Sequence, residues 1–226
     1  MLHAATACVI AALFGRWLGR RLGTLGGGVA EGDAPLRPMA TVLAILGGGT
    51  LATAACGWAL PHDAARPLLT ALVSQLAALG VAQGLGVPVL GGPSRATWLL
   101  AGALTGAAAA LLVAALHPAP PPLPAAAPSQ LAYALLVAPA LEETLFRGAL
   151  QPTLARRSPR GALVVSATLF AAAHPGGAEV CLPLSALGLA AAVARARSGA
   201  VLPAWAVHVA WNATMLLVAQ PDTPRP

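Results

Sequence analysis

Lysine is absent from this sequence: all 13 basic residues among its 226 are arginine. Charge of either sign is scarce, at 9% of residues against about 25% in an ordinary soluble domain. That shortfall, with a hydrophobic fraction of 58% and a mean hydropathy of +0.76, excludes a typical soluble fold and points to a polytopic membrane protein. Aromatics make up only 4% of the chain. No basic patch is interleaved with them or carried on a soluble segment, so the net charge of +6 does not indicate a nucleic-acid partner. The three cysteines, Cys8, Cys56 and Cys181, are far apart and each lies in an apolar run, which is neither a disulfide framework nor a metal-ligand spacing. The lysine-free, Ala-, Gly- and Pro-rich composition is read as coding bias of bacterial character.

What the chain has is long apolar runs. A helix crossing a bilayer needs about 20 predominantly apolar residues. The runs at about 2–18, 39–60, 67–90, 96–117, 129–153, 161–175, 179–195 and 200–219 predict an all-α, polytopic transmembrane helix bundle of about eight spans, the first and sixth short. The run before Arg16 has no positive segment ahead of it, so it reads as a membrane helix rather than a signal peptide. Alternate loops and their approaches hold ten arginines: Arg16, Arg20, Arg21 and Arg37; Arg95; Arg156, Arg157 and Arg160; Arg195 and Arg197. The opposite set holds only Arg66 and Arg225. By the positive-inside bias the arginine-rich loops face the cytoplasm and both termini face out. The proline-rich stretch HPAPPPLPAAAP reads as a semi-rigid linker. It divides residues 1–128, four spans plus this linker, from a core at 129–219 and a short tail at 220–226. In the first half, Gly80/Gly84 and Gly102/Gly106 have the spacing of close helix packing in lipid.

The second half contains the anomaly. Glu142, Glu143 and Arg147 stand inside an apolar span, in LEETLFRGAL. On a helix Glu143 and Arg147 share a face and can pair. Glu142 is rotated about 100° away and needs a different partner. Pro139 either kinks the span or starts a new helix. The next span carries Phe170 and, four residues on, His174; the last carries His208 and Asn212, also four apart, with Trp205 and Trp211 alongside. Taken singly, His174 reads as an interfacial residue and His208 with Asn212 as an interhelical hydrogen-bond pair. Ionisable groups within a span point to function, and here they fall on three neighbouring spans. A carboxylate and a histidine that reach one water can deprotonate it. A second histidine and an amide can donate to the oxyanion formed when that water attacks a carbonyl. No serine or cysteine accompanies these groups as a nucleophile; Ser166 reads as packing and Glu179 as a solvated helix-start charge.

Glu142-Glu143-x-x-x-Arg147, Phe170-x-x-x-His174 and His208-x-x-x-Asn212, in that order, resemble the three motifs of the CPBP family, over about residues 129–219. That family comprises the type II CAAX prenyl endopeptidases and the bacterial Abi-type, bacteriocin-processing membrane proteins. The resemblance implies an intramembrane glutamic endopeptidase in an all-helical fold. It implies that Glu142 and His174 activate water, that His208 and Asn212 form the oxyanion site, that Glu143 and Arg147 hold their helix, and that Phe170 packs near the site. A prenylated substrate does not transfer with the name. The expected partners are a membrane-associated protein or peptide substrate and the lipid bilayer, in a bacterial inner membrane, with no nucleic acid.

No cofactor is expected. A metal-dependent version remains open, in which Glu142, His174 and His208 furnish three ligands as in catalytic zinc sites, although no HExxH is present. Two further readings come from other classes. A non-catalytic immunity or scaffold protein would not need the full motif set. A transporter would show polar groups in two matched halves, whereas here they are confined to one.

Overall fold

The structure is a computed structural model that describes residues 2–26, 40–41, 43–49, 52, 66–87, 91–92, 94–116, 128–174 and 176–218. The expected linker at 117–128 apart from Pro128, which opens a helix, the tail at 220–226 and most of the expected span at 39–60, with Cys56, lie outside the described residues. Among those described there is no strand, and the architecture is all-α, as the apolar runs predict. Among the described residues, three helices are long and apolar enough to cross a membrane: Ala96–Leu116, Ala178–Ser198 and Val201–Val218. Shorter apolar helices lie at Leu69–Gly84 and Pro159–Ala172.

The chain forms two compact units, residues 1–89 with 144–162, and residues 90–143 with 163–226. In the first, α1 (Leu2–Gly26) packs along α2 (Arg66–Gly84). The seam is made of glycines from both partners. A Cβ at Gly15 or Gly19 would collide with the carbonyls of Ala77 or Val81. A Cβ at Gly80 or Gly84 would collide with those of Ala12 or Arg16. Two interlocked GxxxG stripes thus bring the backbones together, the means of association available where lipid removes the hydrophobic drive. The same seam explains a departure from expectation. α1 does not stop near residue 18 but runs through Arg20 and Arg21, because Gly19 continues the contact and Arg21 lies over the Trp17 ring, 5.8 Å from its centroid. Helical turns at 43–49 join this unit, where the Ser74 hydroxyl donates to the Gly49 carbonyl at 3.1 Å.

The second unit is organised around α7 (Val201–Val218), which packs against α3 (Ala96–Leu116) and α6 (Ala178–Ser198). A Cβ at Gly102 or Gly106 would strike the carbonyl of Pro203 or Val207, so this spacing also marks a close crossing. α5 (Pro159–Ala172) meets α6 where Gly188 approaches the Ala167 backbone. α6 ends at Gly199, whose left-handed φ of 73° suits a residue without a side chain and whose N–H closes onto the Arg195 carbonyl. Glu179 lies in the first turn of α6 and Arg195 and Arg197 in its last, each the favourable sign for that end.

The run expected at 129–153 is α4, residues 128–155, and it is not a uniform helix. α-Helical Pro128–Ala132 gives way to a π-helical turn at Tyr133–Val137, then α-helical Ala138–Glu143. A second π-helical stretch, Thr144–Leu150, follows, and Gln151–Ala155 closes the run as α-helix. Pro139 neither breaks nor begins the helix. It lacks the N–H that would bond the carbonyl four residues back. The preceding turn widens, and the Ala138 N–H bonds five residues back to the Tyr133 carbonyl.

Candidate active site

The widened turn leaves carbonyls that α7 occupies. The Asn212 side-chain amide donates to the Ala134 carbonyl at 2.8 Å, and the Trp205 indole N–H reaches the Leu136 carbonyl at 3.4 Å. Two side chains of α7 therefore grip the turn immediately before Glu142 and Glu143.

The two glutamates diverge around a single imidazole. His208 Nδ1 lies 2.9 Å from Glu143 Oε1, and its Nε2 lies 3.9 Å from Glu142 Oε2. The approximately 100° rotation between neighbouring helix positions places one carboxylate at each ring nitrogen. On its other side Glu142 Oε2 faces His174 Nε2 at 3.8 Å. Phe170 is fully buried and packs against both histidines, its ring centroid 4.8 Å from that of His174 and, edge to face, 5.5 Å from that of His208. Glu142, Glu143, Phe170, His174 and His208 are thus brought into one cluster.

Hydrogen-bond chemistry assigns the ring protons. His174 Nδ1 is 2.9 Å from the Phe170 carbonyl, which only accepts, so Nδ1 carries a proton and Nε2 of the neutral ring presents a lone pair toward Glu142. His208 Nδ1 faces a carboxylate and is likewise the donor. A neutral His208 would therefore also present a bare Nε2; only its imidazolium form presents an N–H there. Glu143, fully buried, is the counter-charge that such an imidazolium requires.

Exposure separates the two edges of the cluster. The Glu143 and His208 side chains are 0% and 5% exposed, whereas those of Glu142 and His174 are 13% and 30%. The Glu142–His174 edge is the more exposed one, and the Glu143–His208 pair backs it. Among the described residues, no group of three or more His, Cys, Asp and Glu side chains is arranged to hold a metal ion.

The other motif residues take different places. Arg147, fully buried on the second π-helical stretch, falls in the first compact unit, with its guanidinium carbon 5.7 Å from the Phe146 ring centroid. Asn212 sits on the Ala134 carbonyl with one amide proton committed there. Two further residues have a part that the motifs do not announce. Trp205 grips the π-helical turn, and Tyr133, the sole tyrosine of the chain, lies within range of the Glu142 charge. On a regular helix nine residues would put Tyr133 opposite Glu142; the extra residue in the π-helical turn rotates it by about 100°.

Residues 124–214 match the family model described as type II CAAX prenyl endopeptidase Rce1-like. The resemblance read from the three motifs holds over that region, which contains all seven motif residues and is less than half of the chain. No curated protein and no solved structure matches the chain.

Proposed function

We propose, from a motif-bearing region of the Rce1-like type II CAAX prenyl endopeptidase family, that this chain is an intramembrane endopeptidase whose nucleophile is a water activated by Glu142 and His174. The observation that carries the proposal is the convergence of Glu142 Oε2 and His174 Nε2, 3.8 Å apart, on the more exposed edge of the cluster. A water between them gives one proton to the carboxylate, while His174, fixed by the Phe170 carbonyl, accepts from it or orients it. The hydroxyl oxygen adds to the carbonyl carbon of a peptide bond, and the carbonyl oxygen takes the negative charge. His208, as an imidazolium held by Glu143, presents its Nε2–H to that charge, and the second amide proton of Asn212 adds a donor. The proton held by Glu142 then passes to the leaving nitrogen. The C–N bond breaks to give a carboxylic acid and an amine, and the acid's proton passes to the amine to leave carboxylate and ammonium.

Glu143 thereby acquires a role beyond holding its helix. Its carboxylate holds the Nδ1–H of His208 and orients the ring, as a buried acid does for a catalytic histidine elsewhere. The substrates this reading favours are membrane-associated proteins or peptides.

A metal-dependent form of the reaction is the second reading. It draws on Glu142, His174 and His208, and each histidine has its Nδ1 tied to an acceptor, the usual bearing of a metal-ligating imidazole. The purified chain in detergent, given a mixed library of prenylated and unprenylated peptides and read by mass spectrometry, tests both forms. Cleavage that survives a strong chelator and vanishes in Glu142→Gln supports the metal-free mechanism. Cleavage lost to the chelator and restored by zinc supports the metal. Undiminished cleavage by Glu142→Gln contradicts both.

A further inference from the structure

Away from the acidic cluster, the second unit carries a groove of about 400 Å³ between α3 and α6. Its walls are apolar, with Ala101, Ala186 and Ala190 among the small side chains that open it. Thr105, the hydroxyl residue along its length, donates to its own helix, to the Ala101 carbonyl at 2.7 Å, and so offers the groove no donor. Polarity is confined to one end, where Trp98 and Arg197 stand.

That end is the same for both helices. Trp98 is in the first turn of α3 and Arg197 in the last turn of α6. Just beyond, Gly91 bridges to Ala200 and the Gly92 N–H meets the Gly199 carbonyl at 3.3 Å, tying the two loops together. The groove wall on α6 runs from Ala186 to Arg197. Eleven residues of helix rise about 16 Å, roughly half of the ~30 Å hydrocarbon core of a bilayer. A Trp and an Arg at headgroup level, above an apolar channel one leaflet deep, have the layout of an interfacial belt over lipid.

We infer that this groove binds an anionic phospholipid, one acyl chain lying between α3 and α6 and the phosphate on the exposed Arg197. Charge complementarity selects this occupant: the lining offers one cation, no anion, and no hydrogen-bond donor along its depth. The inference stands on α3, α6 and their loops, independent of the chemistry at Glu142.

The full chain, purified in mild detergent with equimolar phosphatidylglycerol and phosphatidylcholine, is examined by native mass spectrometry. Wild type is expected to retain phosphatidylglycerol at least tenfold over phosphatidylcholine. Arg197→Gln, a change at an exposed position, should remove that preference. Ala190→Trp, which fills the groove, should lower retention of both lipids while helix content by circular dichroism is unchanged. Equal retention of the two lipids by wild type would mean unselective annular lipid and overturn the inference. An unchanged phosphatidylglycerol preference in Arg197→Gln, or unchanged retention in a folded Ala190→Trp, would overturn it as well.

Discussion

Each of the two adjacent glutamates meets an imidazole, and this arrangement divides their work. Glu142 faces two Nε2 atoms, at 3.8 and 3.9 Å, on the more exposed edge; Glu143 holds one Nδ1, at 2.9 Å, with no exposure. Glu142→Gln and His174→Ala are each expected to lower cleavage by roughly 10²–10⁴-fold, the range of a lost general base. Their thermal unfolding in detergent should stay close to wild type, and collapse of both variants would make these residues structural instead. Glu143→Gln removes the charge but keeps an acceptor for His208 Nδ1–H. It should cost about 10²–10³-fold in kcat with little change in KM, as for one lost oxyanion donor. Its signature beyond activity is the His208 Nδ1–H resonance, which should shift when a neutral acceptor replaces the carboxylate that holds it; an unchanged spectrum would contradict the proposed role. The sequence shows the glutamates to be anomalous and shows which histidines accompany them. It does not show that Glu143 turns to His208, because helix periodicity displays partners four residues away, such as Arg147, and is silent on one 65 residues distant.

At the scale of elements, the decisive feature is the π-helical turn Tyr133–Val137 ahead of Pro139, gripped by Asn212 and Trp205. One extra residue in a turn rotates everything beyond it by about 100° relative to a regular helix. Deleting Val137 should restore a regular turn, keep the helix content by circular dichroism, and abolish cleavage by misaligning the donors of α7 with their carbonyls. Retained cleavage would show that the turn is incidental. Trp205→Phe, which keeps the ring and removes the N–H, should cost about 1 kcal/mol of stability or less, measured by thermal unfolding. Pro139 announces an irregularity in the sequence, but not its form. A kink, a new helix and a widened turn all relieve the same missing N–H, and the choice rests on side chains of α7 far along the chain.

For the whole molecule, glycine spacing is the legible part. Gly80/Gly84 and Gly102/Gly106 mark close crossings as their sequence spacing indicates, whereas the answering stripe Gly15/Gly19 becomes apparent only when α1 lies on α2. Gly106→Leu forces a side chain onto the Val207 carbonyl, next to His208. It should destabilise by about 1–3 kcal/mol, the usual cost of overpacking, and should lower cleavage as well. The apolar runs foretell the all-α architecture, and among the described residues three of them are helices long and apolar enough to span a bilayer. The identity of a substrate is written in neither composition nor packing, because the proposed water-activating site would act on a backbone carbonyl common to every peptide. The central claim is therefore tested most directly in the host. Membrane-protein N-termini are compared between cells carrying wild type and cells carrying Glu142→Gln at matched expression. The expected result is new N-termini that appear with wild type and vanish with the variant. Identical profiles across growth conditions would contradict it and leave a non-catalytic, peptide-binding membrane protein in its place.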